Sequence, residues 1–127
     1  MRRKSLCGQQ AFTLVEIMLV TALIGLLVAL LLPSFIKDRQ QSQGRRIVND
    51  IRNLDAAINS WAMEVGASDG TPVDLTAVGQ YTKLGTVNTI DVIGNQYVIG
   101  SVGDSQILVS PVTKAALSAV NIDWGPY

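Results

Sequence analysis

The chain has 127 residues, enough for one small domain with terminal segments, and its 10 basic and 10 acidic residues balance. It contains no histidine and a single cysteine, Cys7, which removes the commonest general base and excludes an intrachain disulfide. The charges are unevenly placed, because residues 66–127 hold two lysines against five aspartates. A mildly acidic C-terminal region argues against nucleic acid as a partner.

The first eleven residues form a short, basic and polar segment. Arg2, Arg3 and Lys4 supply three positive charges with no acid beside them. Cys7 does not indicate a lipoprotein, because the six residues before it provide no apolar stretch.

Residues 12–36 are apolar apart from Glu16 and a few hydroxyl side chains. A run of this length is what a bilayer-spanning helix requires, and it exceeds the apolar core of an ordinary secretory signal. The basic N-terminal flank predicts a single pass with that end in the cytoplasm. A carboxylate in such a span is costly, so Glu16 is a functional candidate unless it lies shallow and faces headgroup water.

Small side chains recur along one side of the same span. Thr21, Gly25 and Ala29 lie four residues apart, and stripes of this kind allow membrane helices to approach closely. Pro33 removes a backbone donor and predicts a kink in the helix. We expect this segment to pack against copies of itself or of a related helix.

Helical periodicity continues through residues 37–66, where an amphipathic helix is predicted. One apolar stripe recurs at spacings of three and four residues, and its members are Ile47, Ile51, Leu54, Ile58, Trp61 and Val65. Gly44 predicts a bend or local melting, and Gly66 followed by a polar turn sequence predicts the end of the helix.

The residue pattern of 67–127 is typical of a small β-rich domain. The pattern predicts a helical turn at 73–78 near Asp74, strands at 86–92, 97–102 and 106–112, and a short helix at 114–120. The first two strands are predicted to pair as a hairpin. The amphipathic helix would cover this antiparallel sheet, which gives an α+β fold with a small head. Trp61 and Trp124 are expected in its core.

Phe12-Thr13-Leu14-Val15-Glu16-Ile17-Met18 resembles the start of type IV pilins and type II secretion pseudopilins. The resemblance covers about residues 2–36, and Gly25 and Pro33 also stand where the family has glycine and proline. It implies that residues 1–11 are a leader peptide, which prepilin peptidase cuts off between Ala11 and Phe12. It also implies that the new Phe12 amine is methylated and that Glu16, fifth in the product, sets register in a filament. Ala11 departs from the usual glycine, but it is the next smallest residue.

The turn after Asp91 loosely resembles a loop of the pseudopilins near a calcium site. The resemblance would make Asp91, Asn95 or Asp104 oxygen ligands. The alternative is a plain hairpin turn, since Gly94-Asn95 is turn chemistry in any case. We commit to no metal and no cofactor.

The resulting hypothesis is a non-enzymatic structural subunit of a type IV pilus or a type II secretion pseudopilus. Its partners would be the processing peptidase and methyltransferase, the bacterial inner membrane, and copies of itself or related pilins. The head would be periplasmic before assembly, and the filament periplasmic or extracellular afterwards. The alternative is a single-pass, membrane-anchored periplasmic binding domain that never polymerises.

Overall fold

The computed structural model describes residues 12–103 and 106–127 of the chain. The predicted leader, residues 1–11, and the calcium candidate Asp104 lie outside the described residues. The chain divides after Ile36 into two compact units, which are described separately.

One long helix, α1, runs from Leu14 to Val65 and contains Pro33. It ends at Gly66, whose φ of +67° is a left-handed conformation that side-chain-bearing residues rarely adopt. The predicted helical character and its stop at Gly66 are therefore confirmed. The predicted kink at Pro33 stays a prediction.

In the second unit, α1 buries the predicted stripe. Ile47, Ile51 and Ile58 are fully inaccessible, and Trp61 is 7% exposed. Val65 is the exception: at 57% exposed it lies outside the core, at the end of the helix. The predicted role of Val65 in the stripe is therefore wrong.

Gly44 was expected to bend or melt the helix; the expected melting is wrong, and the bend stays a prediction. The residue is helical and buried. A Cβ atom at this position would come 2.1 Å from Cδ1 of Ile122, so the missing side chain makes room for the C-terminal segment. Close packing, not flexibility, explains the glycine.

Short elements follow α1. Helix α2 spans Leu75–Val78 and continues into a 3-10 turn at Gly79–Tyr81. The carboxylate of Asp74 caps α2 by accepting from the N–H groups of Thr76 and Ala77 at 2.9 and 3.3 Å. The helical turn predicted at 73–78 is therefore confirmed, with slightly shorter bounds.

The sheet is smaller than predicted and pairs differently. It consists of β1, Val98–Ile99, antiparallel to β2, Ile107–Leu108. The predicted hairpin between 86–92 and 97–102 is reduced to one isolated bridge between Ile90 and Gln96. Its loop is held by the side chain of Asp91 instead of an extended ladder.

Helix α3 spans Pro111–Ala116, three residues earlier than the helix predicted at 114–120. Ser110 caps it by accepting from the N–H of Val112, and Pro111 occupies the first turn, where a missing N–H costs nothing. Together these elements give an α+β, pilin-like arrangement. Its core lies between the buried face of α1 and the segments after Gly66. Trp61 lies in this core and Trp124 packs against it, as expected.

Candidate functional site

The candidate site is the first turn of α1, which begins just after Thr13. The N–H of Glu16 donates to Oγ1 of Thr13 at 3.2 Å and to its carbonyl oxygen at 3.1 Å. Threonine followed by glutamate three residues later is the spacing of a capping box. Thr13 and Glu16 thus define the start of the helix, and both belong to the sequence that resembles the pilins.

Glu16 has electrostatic reasons to occupy this turn. It is the acidic residue of the first turn of α1, where the unpaired N–H groups form the positive end of the helix dipole. Within residues 12–103 and 106–127 its carboxylate has no ion-pair partner. An exposed, unneutralised carboxylate in an apolar segment is available to a cation from outside this helix.

The span that follows presents apolar side chains to its surroundings. Phe12 is 76% exposed and Ile24 54% exposed, and the most apolar 18-residue window has none of its residues buried. By length and composition α1 is apolar enough to cross a membrane. Exposed apolar surface on this scale requires lipid or protein around it.

The structure leaves the small-residue stripe open. The hydroxyl of Thr21 donates to the carbonyl oxygens of Ile17 and Met18 at 3.0 Å, so its hydrogen-bonding is satisfied within the helix. Gly25 has no atom within 4 Å of the position a Cβ would take, and Ala29 is exposed. A neighbouring helix can therefore approach this side without displacing atoms of the described chain.

The other predicted residues, Asp91 and Asn95, meet in one turn of the head. Oδ1 of Asp91 accepts from the backbone N–H groups of Ile93, Gly94 and Asn95 at 2.8–2.9 Å. Its other oxygen accepts from the hydroxyl of Thr113 in α3. The side-chain amide of Asn95 also donates to Thr113, at 3.0 Å.

Burial alone would raise the pKa of Asp91. Hydrogen bonds from the Thr113 hydroxyl and from three backbone N–H groups outweigh that effect and hold the pKa below its ordinary value. Both carboxylate oxygens are already used, Oδ1 within the turn and Oδ2 in joining the turn to α3. The described residues hold no cluster of three metal-ligating side chains. The turn alternative accounts for Asp91 and Asn95 with protein contacts alone.

Sequence reasoning missed two contacts that hold the head together. The first is the link from Asp91 to Thr113, 22 residues away along the chain. The second is the packing of the Ile122 side chain against Gly44. An Asp followed by Gly-Asn suggests a local turn, but the pattern carries no signal for the distant threonine.

Curated relatives fall into two named groups. The type II secretion system core protein G of Klebsiella michiganensis is 33% identical over 50% of this chain and 43% of its own length. The core protein G of Escherichia coli K12 is 27% identical over 76% of this chain and 74% of its own length. A fimbrial protein of Pseudomonas aeruginosa is 35% identical over 53% of this chain and 45% of its own length.

These alignments confirm the resemblance to pilins and pseudopilins. The chain spans less than half the length of the Klebsiella and Pseudomonas relatives, and about three quarters of the Escherichia protein. No protein-family model and no solved structure matches it. The relatives are structural proteins and not enzymes, which agrees with a chain whose conspicuous feature is an apolar helix.

Proposed function

We propose that this pilin-like chain is a structural subunit of a type II secretion pseudopilus or a type IV pilus, assembled through residues 12–36. The observation that carries the proposal is an apolar span, residues 14–36 of α1, that is exposed throughout and has one carboxylate in its first turn. The similarity to core protein G and to fimbrial proteins supports the same class of function.

Processing is the first step of this proposal. Prepilin peptidase would cut between Ala11 and Phe12 and leave Phe12 as a new, methylated N-terminus. The new amine would lie close to the positive end of the α1 dipole, where a cation is unfavourable. A carboxylate brought to the amine by another subunit would relieve that cost.

Register is the second step. In a filament, Glu16 of one subunit would neutralise the Phe12 amine of its neighbour. Opposite charges attract strongly in a low-dielectric environment, and either charge left unpaired there is costly. Apolar contacts between helices slide easily, whereas a buried ion pair has one favourable position. The pair would therefore fix the axial position of each subunit.

Membrane insertion precedes assembly in this scheme. The basic residues before Phe12 would keep the N-terminus in the cytoplasm of a bacterial inner membrane, with the head on the periplasmic side. The open side of Thr21, Gly25 and Ala29 would then take the helix of a related subunit.

The mass of the mature protein tests the proposal. Chain extracted from membranes of a strain with active prepilin peptidase should begin at Phe12 and be heavier by one methyl group. A bulky residue in place of Ala11 should block cleavage, and Ala11→Gly serves as the matched control that is still cut. An intact chain beginning at Met1 would contradict the proposal and favour an anchored domain that never polymerises.

A further inference from the structure

A groove of about 430 Å³, called the basic groove below, lies on the head between α1 and the segment after α2. Arg46 and Asp50 of α1 line one side, and Lys83 and the exposed Leu84 line the other. Arg46 and Asp50 approach each other only at 4.0 Å, with the Arg46 side chain 73% exposed. Lys83 has no ion-pair partner within the described part of the chain. The groove therefore carries one more positive than negative charge.

Tyr97 also lines the basic groove, and its hydroxyl lacks a hydrogen-bond partner among the described residues. The residue is only 7% exposed, so the missing bond is not replaced by open solvent. Burial, with the negative charges of Asp50 and Asp91, raises its pKa to about 12 despite the opposing charge of Arg46. The hydroxyl is thus a neutral donor at physiological pH, and it lies beneath the accessible surface of the groove.

On the other side of α1 the head carries negative charge. There a second groove of about 410 Å³, called the acidic groove, is lined by Asp55, Asn59 and Asp69 and by no lysine or arginine. Gln106 holds Asp55 in place by donating to its Oδ1 at 2.6 Å, whereas Asp69 is exposed.

Helix geometry separates the two grooves. At 3.6 residues per turn, Arg46 and Asp50 lie about a quarter turn to one side of the buried stripe, and Asp55 and Asn59 lie about as far to the other. The two grooves therefore open on different sides of one head. Two different complementary patches on one molecule produce head-to-tail contacts, which propagate into helical arrays.

We propose that the basic groove of one head binds the acidic groove of a second copy of this chain, with Asp69 of the second copy entering between Arg46 and Lys83. A carboxylate fits because it neutralises the excess positive charge of the groove, and the exposed Arg46 side chain can turn towards it. This inference rests on the proposed filament function, and it adds a directional contact between heads to the contact between helices.

Site-specific cross-linking in the full-length chain tests the contact. All chains carry Cys7→Ser; one adds Lys83→Cys, and a second, epitope-tagged chain adds Asp69→Cys. Co-expression and treatment of membranes with a short bismaleimide should give a mixed dimer of the two. Either chain alone should give none, because a head-to-tail contact never places a residue against its own copy. Arg45→Cys in place of Lys83→Cys is the matched control on another flank of α1, and it should also give none.

Charge exchange provides an independent readout. Lys83→Glu or Asp69→Lys alone should lower the yield of sheared filaments by roughly tenfold, the effect of one lost contact of modest strength. The double variant should recover most of the loss. Arg45→Glu, an equal change of charge outside the basic groove, should leave the yield unchanged.

The outcomes separate this inference from the proposed function. Normal filaments with no mixed dimer, or with no recovery in the double variant, would overturn the contact between heads and leave the filament proposal standing. Correctly cleaved chain that forms no filament at all would count against both. A mixed dimer that also forms with Arg45→Cys would show random collision and would overturn the contact.

Discussion

Residues 14–36 and residues 44–62 belong to the same helix, yet their apolar side chains have opposite environments. Ile24 is 54% exposed, whereas Ile47 and Ile58 are fully buried. The difference lies in pattern: the first stretch is apolar on every side, while the second confines its apolar residues to one stripe. A helix that is apolar on every side is therefore expected to bind partners outside the chain. A helix with one apolar stripe is expected to pack against its own chain.

The largest effect is expected from Glu16→Ala, which tests the exposed side of the comparison. Removing a charge makes the span more apolar, so membrane insertion should persist, and cleavage before Phe12 should persist as well. Filament assembly should be lost, because the Phe12 amine would enter apolar surroundings unpaired. Glu16→Gln should be intermediate, since it keeps an acceptor without the charge.

Electron microscopy of sheared filaments, scaled to the amount of membrane-bound chain, measures this effect. Asp38→Ala removes an acid just beyond the span and should assemble normally. Wild-type amounts of filament from Glu16→Ala would contradict the register mechanism and leave Glu16 only its place in the first turn of the helix.

The buried side of the comparison is tested by Trp61→Ala. Large-to-small changes in a packed core cost about 2–5 kcal/mol of unfolding free energy. Urea unfolding of the full chain in mild detergent, followed by tryptophan fluorescence from Trp124, should show that loss. Met63→Ala, at 83% exposed, is the matched control on the same turn of α1 and should change stability by less than about 0.5 kcal/mol.

Leu23→Ala tests whether the two stretches of α1 really differ in their contribution to the head. Leu23 is 54% exposed and lies in the apolar span, so head unfolding should be unchanged by its loss. A destabilisation as large as that of Trp61→Ala would show that the span contributes to the folded head.

Asp91→Asn tests the hydrogen-bonded turn that joins α3 in the head. Loss of the charge weakens four hydrogen bonds, and we expect a cost of about 1–3 kcal/mol at neutral pH. Because the folded-state pKa of Asp91 is lowered, its contribution is present above the ordinary carboxyl pKa of about 4 and is lost as the pH falls through the lower folded-state value. The difference between wild type and variant should therefore shrink in acid.

Unfolding free energies measured from neutral pH downward decide this prediction. Asp123→Asn alters an exposed carboxylate in the same acidic region and should show little change over that range. A difference between wild type and Asp91→Asn that stays constant into acid would contradict the stabilising role of the charge.

The smallest and most specific effect is expected at Gly44. Alanine favours a helix over glycine by about 1 kcal/mol, but here its Cβ would strike Ile122. Gly44→Ala should therefore destabilise the head slightly and become stabilising in an Ile122→Ala background. A cycle of the two substitutions measures the coupling by unfolding free energy, and independent, additive effects would contradict the contact.

The sequence predicts the helical parts of this fold better than its sheet. Local periodicity and Gly66 are sufficient for α1, because an α-helix satisfies its own hydrogen bonds between near neighbours. The predicted strands at 97–102 and 106–112 contain β1 and β2, but the segment predicted as a strand at 86–92 is not one, since its β-branched residues can pack on the core without a ladder. Which of the predicted strands pair depends on packing across the head, which no local pattern records.

For the candidate site, the residues of the first turn were identifiable from sequence because their roles are local. Thr13 and Glu16 are three residues apart, and their contact follows from the helix itself. The buried Tyr97 hydroxyl without a partner could not be identified from sequence, because it depends on which groups of the folded head surround it. Leader cleavage and methylation remain predictions, as Ala11 lies outside the described residues.

The brevity of β1 and β2 would matter for the proposed filament, in which many copies of the head lie side by side. Each strand is only two residues long, so the sheet presents very little unpaired backbone along its margins. Long, unpaired strand edges recruit neighbouring chains into aggregates, and crowding makes this worse. Heads built around a helix and hydrogen-bonded turns can be concentrated on a surface with little risk of fusing through their backbones.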